Sequence, residues 1–482
     1  MKDYTEYDAL GLAELVRTRQ VSARELLAEA LGRAEKAQAE LNCFSALYPE
    51  MAEKQLDAGT GDGPFAGVPF VTKDLAVEVT GAPLTNGSVA WKGYVASRDS
   101  VLTGRYRKAG LVFFGQTTSP EYGLTTTTES TLYGQTRNPW DVTRTSGGSS
   151  GGASATVASG VLPLAHASDG GGSIRIPASC TGLFGIKPSR GRVPMGPGRT
   201  EGWNGMSTVH AVSRSVRDSA ALLDVSHGRE TGSRYIAPPP ERPYLEEVTR
   251  APGKLKIALW RKAPNGSMPD ADAEAGLMAT AKLLQDLGHE VVEAGPDLDG
   301  EALGKYALFT ISANIAAAFD DRGAMLGRAI RDDEMEPITA SMARLGRTVP
   351  MVELARANNL FNAAAITYEQ FLDDGGFDLT LSPVTHRAPD KLGTMSLAQD
   401  GEAMGKAIAG FGAHCPIFNQ TGCPAMSVPL HWTDPTDEAP GGLPIGMMFG
   451  GRLGSESLLF RLAGQLEEAR PWAGRRPPVW FA

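Results

Sequence analysis

The hydrophobic pattern of the first half of the chain alternates between helical periodicity and short apolar runs. Residues 7–38 have a helical pattern, and Ser22 with Glu25 has the spacing of a capping box. Further helices are predicted at 99–109 and 151–159, and buried strands at 68–72, 111–114 and 161–166. Helices that alternate with strands predict an α/β fold, with a large mixed central β-sheet wrapped by helices.

The second half continues this alternation after a surface crossover rich in Pro and Gly at 228–253. Strands are predicted at 254–260, 289–293, 377–383, 425–430 and 442–448, and helices at 270–287, over most of 301–372 and at 455–469. No repeat and no clear boundary interrupts the pattern. We therefore expect one domain, 1–482, with an N-terminal helical layer at 1–60, a core at 61–225 and the rest of the sheet and its helices at 226–482.

Composition and charge narrow the class of protein. The net charge is −9 and no Lys/Arg cluster is visible, which argues against nucleic acid as a partner. No window approaches 18 uninterrupted apolar residues, and the acidic start MKDYTEYDAL lacks the apolar core of a secretory signal. The four scattered cysteines form no C-x-x-C pair and are expected to be reduced. These features predict a cytoplasmic protein with no membrane partner.

The glycine excess, 57 of 482 residues, is concentrated between Thr145 and Ser179. Two glycine-flanked serine clusters lie in this stretch, at 147–152 and 170–173. Glycine lets the backbone approach another chain or a ligand closely. The two loops are therefore consistent with catalysis, with anion binding or with tight packing alone.

Several kinds of site can be tested against this stretch. The G-x-S-x-G at 147–151 follows a turn-rich segment, whereas a nucleophile elbow follows a strand, and no lysine completes a phosphate-binding loop. The seven histidines show no metal-ligand spacing, so neither a metal nor a cofactor is expected; His166 is interpreted as a buried structural residue. A serine hydrolase without histidine needs another base, and burial can lower the pKa of a lysine enough for that role. Lys73 ends an apolar strand and is the candidate.

The chain resembles the amidase signature family over nearly its whole length. The resemblance rests on GVPFVTKDL at 67–75, GQTRNPWD at 134–141, SGGSSGG at 146–152, SDGGGSIRIPAS at 168–179, NQTGCPA at 419–425 and GLPIG at 442–446. It implies the family fold, a mixed sheet of many strands wrapped by helices.

The resemblance also implies a Ser-cisSer-Lys triad. Ser173 would be the nucleophile, Lys73 the base, and Ser149, after a cis peptide bond from Gly148, the relay between them. The N–H groups of Gly170, Gly171, Gly172 and Ser173 would form the oxyanion hole. Ser150, Asp169 and Arg175 are polar and close in sequence to the two serines, so they are interpreted as supporting residues. The resemblance places Gly123, Leu124 and Thr125 at the substrate pocket. Gly170 stands where the family commonly has Thr or Ile, a change that either loosens the oxyanion loop or makes room beside it.

These residues predict a hydrolase of small-molecule amides that forms an acyl-enzyme on Ser173. The same triad could cleave carbamates, as a urethanase does, or esters. An amidase subunit of a tRNA-dependent amidotransferase is a further alternative, but Ile176 stands where that subunit usually has Gln, which favours free-standing amidases such as nylon-oligomer hydrolases. A non-catalytic anion-binding module is the alternative from another class. A small molecule is the expected partner, and a homodimer is left open.

Overall fold

The computed structural model describes residues 3–399 and 401–481, which form fifteen strands and fifteen α-helices. The strands are β1 Phe44–Leu47, β2 Pro69–Lys73, β3 Val112–Thr117, β4 Glu129–Ser130, β5 Gly134–Gln135, β6 Arg137–Asn138, β7 Asp141–Thr145, β8 Leu164–Asp169, β9 Phe184–Lys187, β10 Thr208–Ser213, β11 Lys256–Leu259, β12 Glu290–Glu293, β13 Leu379–Pro383, β14 Ala425–Trp432 and β15 Pro444–Gly450. The helices are α1 Ala9–Arg17, α2 Ala23–Leu41, α3 Pro49–Ala58, α4 Val101–Lys108, α5 Gly151–Ala158, α6 Arg175–Thr181, α7 Val216–Ser226, α8 Tyr244–Glu247, α9 Ala271–Asp286, α10 Gly300–Leu326, α11 Pro337–Thr348, α12 Met351–Gly375, α13 Gly401–Ala409, α14 Cys415–Thr421 and α15 Glu456–Ala469.

Eight strands form one mixed sheet in the order β12-β11-β13-β15-β14-β9-β10-β8. Strand β11 is parallel to both β12 and β13, and the other neighbours are antiparallel. Two successive residues of β15 belong to different hydrophobic clusters. Met447 shares one cluster with residues of α9, and Met448 shares another with residues of α6 and α14. Since successive strand residues point to opposite faces, the sheet is buried on both sides. The predicted α/β class with a large mixed sheet is confirmed.

A second, three-stranded sheet in the order β1-β3-β2 carries the lysine strand. Strand β2 packs beside the edge strand β8, and the backbone N–H of Lys73 donates to His166 Nδ1 at 3.2 Å. The two sheets therefore adjoin through β2 and β8. This contact brings the end of the lysine strand to the segment that begins the second glycine loop.

The helical region predicted at 7–38 forms two separate helices, α1 and α2, and β1 and α3 follow before residue 60. Helix α1 ends at Arg17, and Arg19 then adopts a left-handed conformation with φ of 58°, which interrupts the helical path. Helix α2 then begins with the predicted capping box, since Glu25 N–H donates to Ser22 Oγ and the Ser22 N–H donates to the Glu25 carboxylate. The capping signal thus marks the start of a separate helix.

Other boundaries differ from the predictions by a few residues. The strand predicted at 161–166 forms at Leu164–Asp169 instead, and the helical region 301–372 comprises α10, α11 and α12. The four cysteines are buried and free, as expected. Helix α10, with a mean hydropathy of 1.2 in its most apolar window, is long and apolar enough to cross a membrane. One such helix is weak evidence for a span, because core helices have the same length and composition, and α10 packs against α11 and α12.

A buried ion pair joins the C-terminal helix to the loop after β9. Arg192 donates to both carboxylate oxygens of Glu456, from Nε at 2.9 Å and from Nη2 at 3.0 Å, and the side chains are 2% and 0% exposed. Burial alone would raise the pKa of Glu456, but the Arg192 guanidinium holds it below its ordinary value. Glu456 therefore depends on Arg192 to remain ionised inside the protein.

Removal of one member of this pair should destabilise the fold more than removal of both. We expect Arg192→Met to lower the free energy of unfolding by about 3–5 kcal/mol because it leaves Glu456 as an uncompensated buried charge. The double variant Arg192→Met/Glu456→Met should recover most of that loss in urea unfolding curves. Lys282→Ala, which breaks the exposed pair with Asp286, is the matched control and should change stability by less than ~0.5 kcal/mol. If the separate effects of Arg192→Met and Glu456→Met simply added in the double variant, the coupling would be contradicted.

Candidate active site

The Lys73 side chain ends β2 in a completely buried position surrounded by serine hydroxyls. Its Nζ lies 2.7 Å from Ser149 Oγ, 3.0 Å from Ser150 Oγ and 2.9 Å from Ser168 Oγ. No carboxylate in residues 3–399 and 401–481 forms an ion pair with it. Burial lowers the pKa of Lys73 to about 7, and the charge of Asp169 opposes part of that shift. A large fraction of Lys73 is therefore a neutral amine at neutral pH.

The neighbouring hydroxyls restrict how the amine can hydrogen bond. Ser150 Oγ donates its proton to the Ser168 carbonyl oxygen at 3.1 Å, so towards Lys73 it can only accept. A neutral amine has two N–H donors and one lone pair. When Lys73 donates to Ser150 and Ser168, its lone pair is left for the proton of Ser149. The geometry thus suits proton transfer between Ser149 and Lys73.

The first glycine loop holds Ser149 at the lysine by close backbone packing. The Gly148–Ser149 peptide bond is cis, as the resemblance implied. Gly147 has φ of 79°, and a Cβ at Gly148 would overlap the backbone of Thr127. Thr128 Oγ1 donates to the Gly147 carbonyl at 2.9 Å and accepts from Gly151 N–H at 3.0 Å. Thr127 and Thr128 therefore pack against the first glycine loop and hold its backbone in place.

The second glycine loop is shaped by Asp169 and Arg175. Arg175 donates to the Asp169 carboxylate from Nε and Nη2, each at 3.0 Å, and both side chains are fully buried. The same carboxylate accepts the N–H groups of Gly172 at 2.7 Å and Ile174 at 3.1 Å. Although burial raises the pKa of Asp169, the Arg175 guanidinium lowers it well below the ordinary value. The carboxylate is therefore ionised and fixes the backbone around Ser173.

The N–H groups of this loop are not all equivalent. Because Gly172 N–H donates to Asp169, it is directed away from any ligand. Among the described residues, nothing accepts a hydrogen bond from the N–H of Gly170, Gly171 or Ser173. These three donors are free to meet a ligand, whereas the fourth predicted donor is engaged within the protein.

A cavity of about 470 Å³ opens over these loops. Ser149, Ser168, Gly170 and Ser173 line it, together with aromatic side chains of three other segments, namely Trp91, Tyr94, Tyr122 and Trp203. Ser173 is only partly buried, and its hydroxyl has no hydrogen-bond partner within the described chain. The relay and nucleophile positions predicted from the sequence therefore face one ligand-sized space.

The three residues predicted at the substrate pocket have different surroundings. Gly123 lines the cavity, and a Cβ there would lie 2.9 Å from Ser149 Oγ. Leu124 packs against two hydrophobic clusters, and Thr125 donates from Oγ1 to the Met395 carbonyl at 2.6 Å. Neither is among the residues that line the cavity, because the chain turns inward after Gly123.

Two polar residues at this centre were not singled out from the sequence. Ser168 contacts the Lys73 amine, and its place directly before Asp169 in the signature motif was the available signal. Asn419, in α14, donates from Nδ2 to the backbone and the carboxylate of Asp169 and accepts from Arg175 Nη2 at 2.8 Å. The matched motif at 419–425 includes Asn419, but the sequence did not indicate that its side chain bonds to Asp169 and Arg175. Both residues help to hold the loops in place.

His166 lies beneath the site and is not at it. Its side chain is completely buried, and its Nδ1 accepts from the Lys73 backbone. Burial, assisted by the charge of Lys73, lowers the pKa of His166 to about 3. The ring remains neutral over the range in which Lys73 titrates, in keeping with the structural role predicted for it.

Comparison with known proteins identifies the family. The sequence profile described as Amidase matches residues 25–460. The 6-aminohexanoate-cyclic-dimer hydrolase of Paenarthrobacter ureafaciens is 35% identical over 98% of this chain and 96% of its own length, and the enzyme of the same name from a Pseudomonas species is 34% identical over the same shares. A solved structure of 6-aminohexanoate cyclic dimer hydrolase complexed with substrate superposes with a TM-score of 0.92 at 34% identity, covering 99% of this chain and 100% of that one. The chain therefore belongs to the amidase signature family.

Proposed function

We propose that this protein hydrolyses amide bonds of small molecules through an acyl-enzyme on Ser173, with Ser149 relaying protons to Lys73. The observation that carries the proposal is the buried Lys73 amine, 2.7 Å from Ser149 Oγ, at a cavity that Ser173 also lines. A neutral amine beside a serine pair can activate a nucleophile without histidine.

In the first half of the reaction, Ser173 Oγ forms a bond to the carbonyl carbon of the amide. Its proton passes to Ser149, and the proton of Ser149 passes to Lys73, which becomes an ammonium. The carbonyl oxygen carries negative charge in the tetrahedral intermediate. We assign its stabilisation to the N–H groups of Gly170, Gly171 and Ser173, since that of Gly172 is engaged by Asp169. The C–N bond then breaks, and the leaving nitrogen receives the proton of Lys73 through Ser149.

In the second half, water attacks the acyl-enzyme. One proton of the water returns to Lys73 along the same serine relay, and the C–O bond to Ser173 breaks with return of that proton to its hydroxyl. The products are a carboxylic acid and an amine. In this scheme Ser150 and Ser168 hold the Lys73 amine, and Asp169 with Arg175 holds the loop.

The relatives suggest a substrate class. Two of them are named for hydrolysis of the cyclic dimer of 6-aminohexanoate, an aliphatic diamide. The cavity of about 470 Å³, with aromatic walls, is of a size suited to such a compound. We propose small aliphatic amides as substrates, with carbamates and esters as the alternative. A cytoplasmic location, a single domain and a homodimer remain predictions.

Removal of the Ser173 hydroxyl should abolish turnover without loss of the fold. We expect kcat/KM of Ser173→Ala to fall at least ~10³-fold because no other group can form the acyl-enzyme. An organophosphonate should add one mass increment to the wild type, mapped to Ser173 by peptide mass spectrometry, and none to the variant. Ser159→Ala, a buried serine in the turn after α5, is the matched control. A non-catalytic anion-binding protein would give no adduct in either form.

The pH dependence of the reaction should follow Lys73. Since the base must be neutral and the pKa of Lys73 is about 7, kcat/KM should fall tenfold per pH unit below pH 7 and level off above it. Lys73→Met should lose most of the activity and, with it, this acidic limb. Lys187→Met is a matched control, because Lys187 is also fully buried with its pKa lowered to about 7, yet it donates only to the Pro188 carbonyl. A limb that disappears in Lys187→Met and persists in Lys73→Met would overturn the assignment.

A matched panel should separate the reaction types. We expect the cyclic dimer of 6-aminohexanoate and simple aliphatic anilides to be cleaved with higher kcat/KM than carbamates of the same leaving group. The amine released is measured in each case, with Ser173→Ala as the blank. Preference for the carbamate would make the protein a urethanase that uses the same residues.

A further inference from the structure

We propose that Trp203 determines specificity, and that position 170 is glycine so that the Trp203 indole can lie against the loop that carries Ser173. This inference rests on the proposed function, because it assigns one wall of the same cavity. It concerns a side chain that takes no part in proton transfer.

The contact between the indole and the loop leaves no space for a side chain at 170. A Cβ built on Gly170 would lie 2.6 Å from Cζ3 and 2.7 Å from Cε3 of Trp203, closer than side chains approach in proteins. A Cβ on the next residue, Gly171, would meet nothing within 4 Å. The indole therefore covers one position of the loop and leaves the adjacent position, Gly171, uncovered.

A strained turn places Trp203 there. Gly205 N–H donates to the Gly202 carbonyl at 3.1 Å, and the two central residues, Trp203 and Asn204, have φ of 51° and 53°. This region of backbone conformation suits glycine and asparagine but is unfavourable for a bulky residue such as tryptophan. Strain of this kind persists where the surrounding structure enforces it, and it is concentrated at functional sites.

Three hydrogen bonds hold the turn to other elements. Arg190 Nε donates to the Gly205 carbonyl at 2.7 Å, and Asn314 Nδ2, in α10, donates to Asn204 Oδ1 at 2.9 Å. Asn419 Nδ2 donates to the Met206 carbonyl at 3.0 Å as well as to Asp169. The turn is thus tied to the residue that shapes the nucleophile loop. Trp203 is consequently a fixed wall of the cavity.

A rigid aromatic wall beside the reacting loop limits the shape of the substrate. Trp203, Gly170 and Ser173 line the same cavity, so groups next to the scissile amide lie within reach of the indole. Unbranched or flat groups can lie along its face, whereas a branched carbon would need the space that the ring occupies. We therefore assign to Trp203 the exclusion of amides that are branched beside the scissile bond.

The first test compares straight and branched substrates in Trp203→Ala. Two series of amides are used, one branched in the acyl part and one in the amine part, each with its straight isomer. We expect the ratio of kcat/KM for branched over straight to rise at least ~10-fold in one of the series, the size of effect that a filled hydrophobic pocket gives. Trp480→Ala, which removes a half-buried tryptophan outside this cavity, should leave both ratios unchanged.

The second test measures coupling between positions 170 and 203. Gly170→Ala should lower kcat/KM strongly in the wild type, since the new methyl group displaces the indole, and much less in the Trp203→Ala background. Gly171→Ala provides the matched comparison, because its Cβ meets no neighbour, and its effect should be the same in both backgrounds.

Organophosphonate labelling of Ser173 in every variant distinguishes failure of the proposed function from failure of the inference about Trp203. If the wild type forms no adduct, the proposed function fails before Trp203 is tested. If Ser173 is labelled but both selectivity ratios stay unchanged in Trp203→Ala, the inference about Trp203 is overturned. Equal effects of Gly170→Ala in the two backgrounds would overturn it as well.

Discussion

The site depends on the burial of one lysine amine, that of Lys73, which forms no ion pair with any carboxylate in the part of the chain that the structure describes. Transfer of an ammonium out of water is unfavourable, so a buried lysine without an ion pair gives up its proton more readily. Asp169 is the acid close enough to oppose this, but Arg175 neutralises its charge through two hydrogen bonds. If Asp169 were unpaired, its charge would favour the protonated form of Lys73. Pairing with Arg175 thus limits how strongly Asp169 favours the ammonium form of Lys73, although neither side chain touches the amine.

Burial alone does not give a lysine a catalytic role. Lys187 is as deeply buried as Lys73 and its pKa is lowered to a similar value, but among the described residues its Nζ donates only to the Pro188 carbonyl. Lys73 instead contacts three hydroxyls, and two of them belong to residues that line the cavity, Ser149 and Ser168. The chemical difference between the two lysines therefore lies in their hydrogen-bond partners.

The sequence predicted most of this fold and much of this site, and the failures have physical causes. Segments with strong periodicity, such as α9 and α15, form almost where they were predicted, because one amphipathic face per helix is a local property. The interior strands β9 and β10 carry no such local signal, since their pairing depends on partners far away in the chain. The site residues were found through contiguous motifs. Trp203 and the role of Asn419 were missed, because each reaches the site from another segment of the chain. No characteristic spacing in the sequence links such a residue to the motifs of the triad.

The sequence alone left tight packing and ligand recognition as alternative reasons for the glycine loops. In the structure, the close packing that requires glycine also shapes the loops of the site. Gly148 and Gly152 lack side chains because the backbones of Thr127 and Thr118 lie against them, whereas Gly170 lacks one because an indole does. Buried ion pairs contribute little net stability, so the Asp169–Arg175 pair is better explained by the positioning of the loop backbone than by stabilisation of the fold. By accepting the Gly172 N–H, Asp169 turns the chain so that the N–H groups on either side are left without a protein partner. Since Arg175 also donates to the Cys415 carbonyl, this arrangement requires α14, more than 200 residues away in the chain.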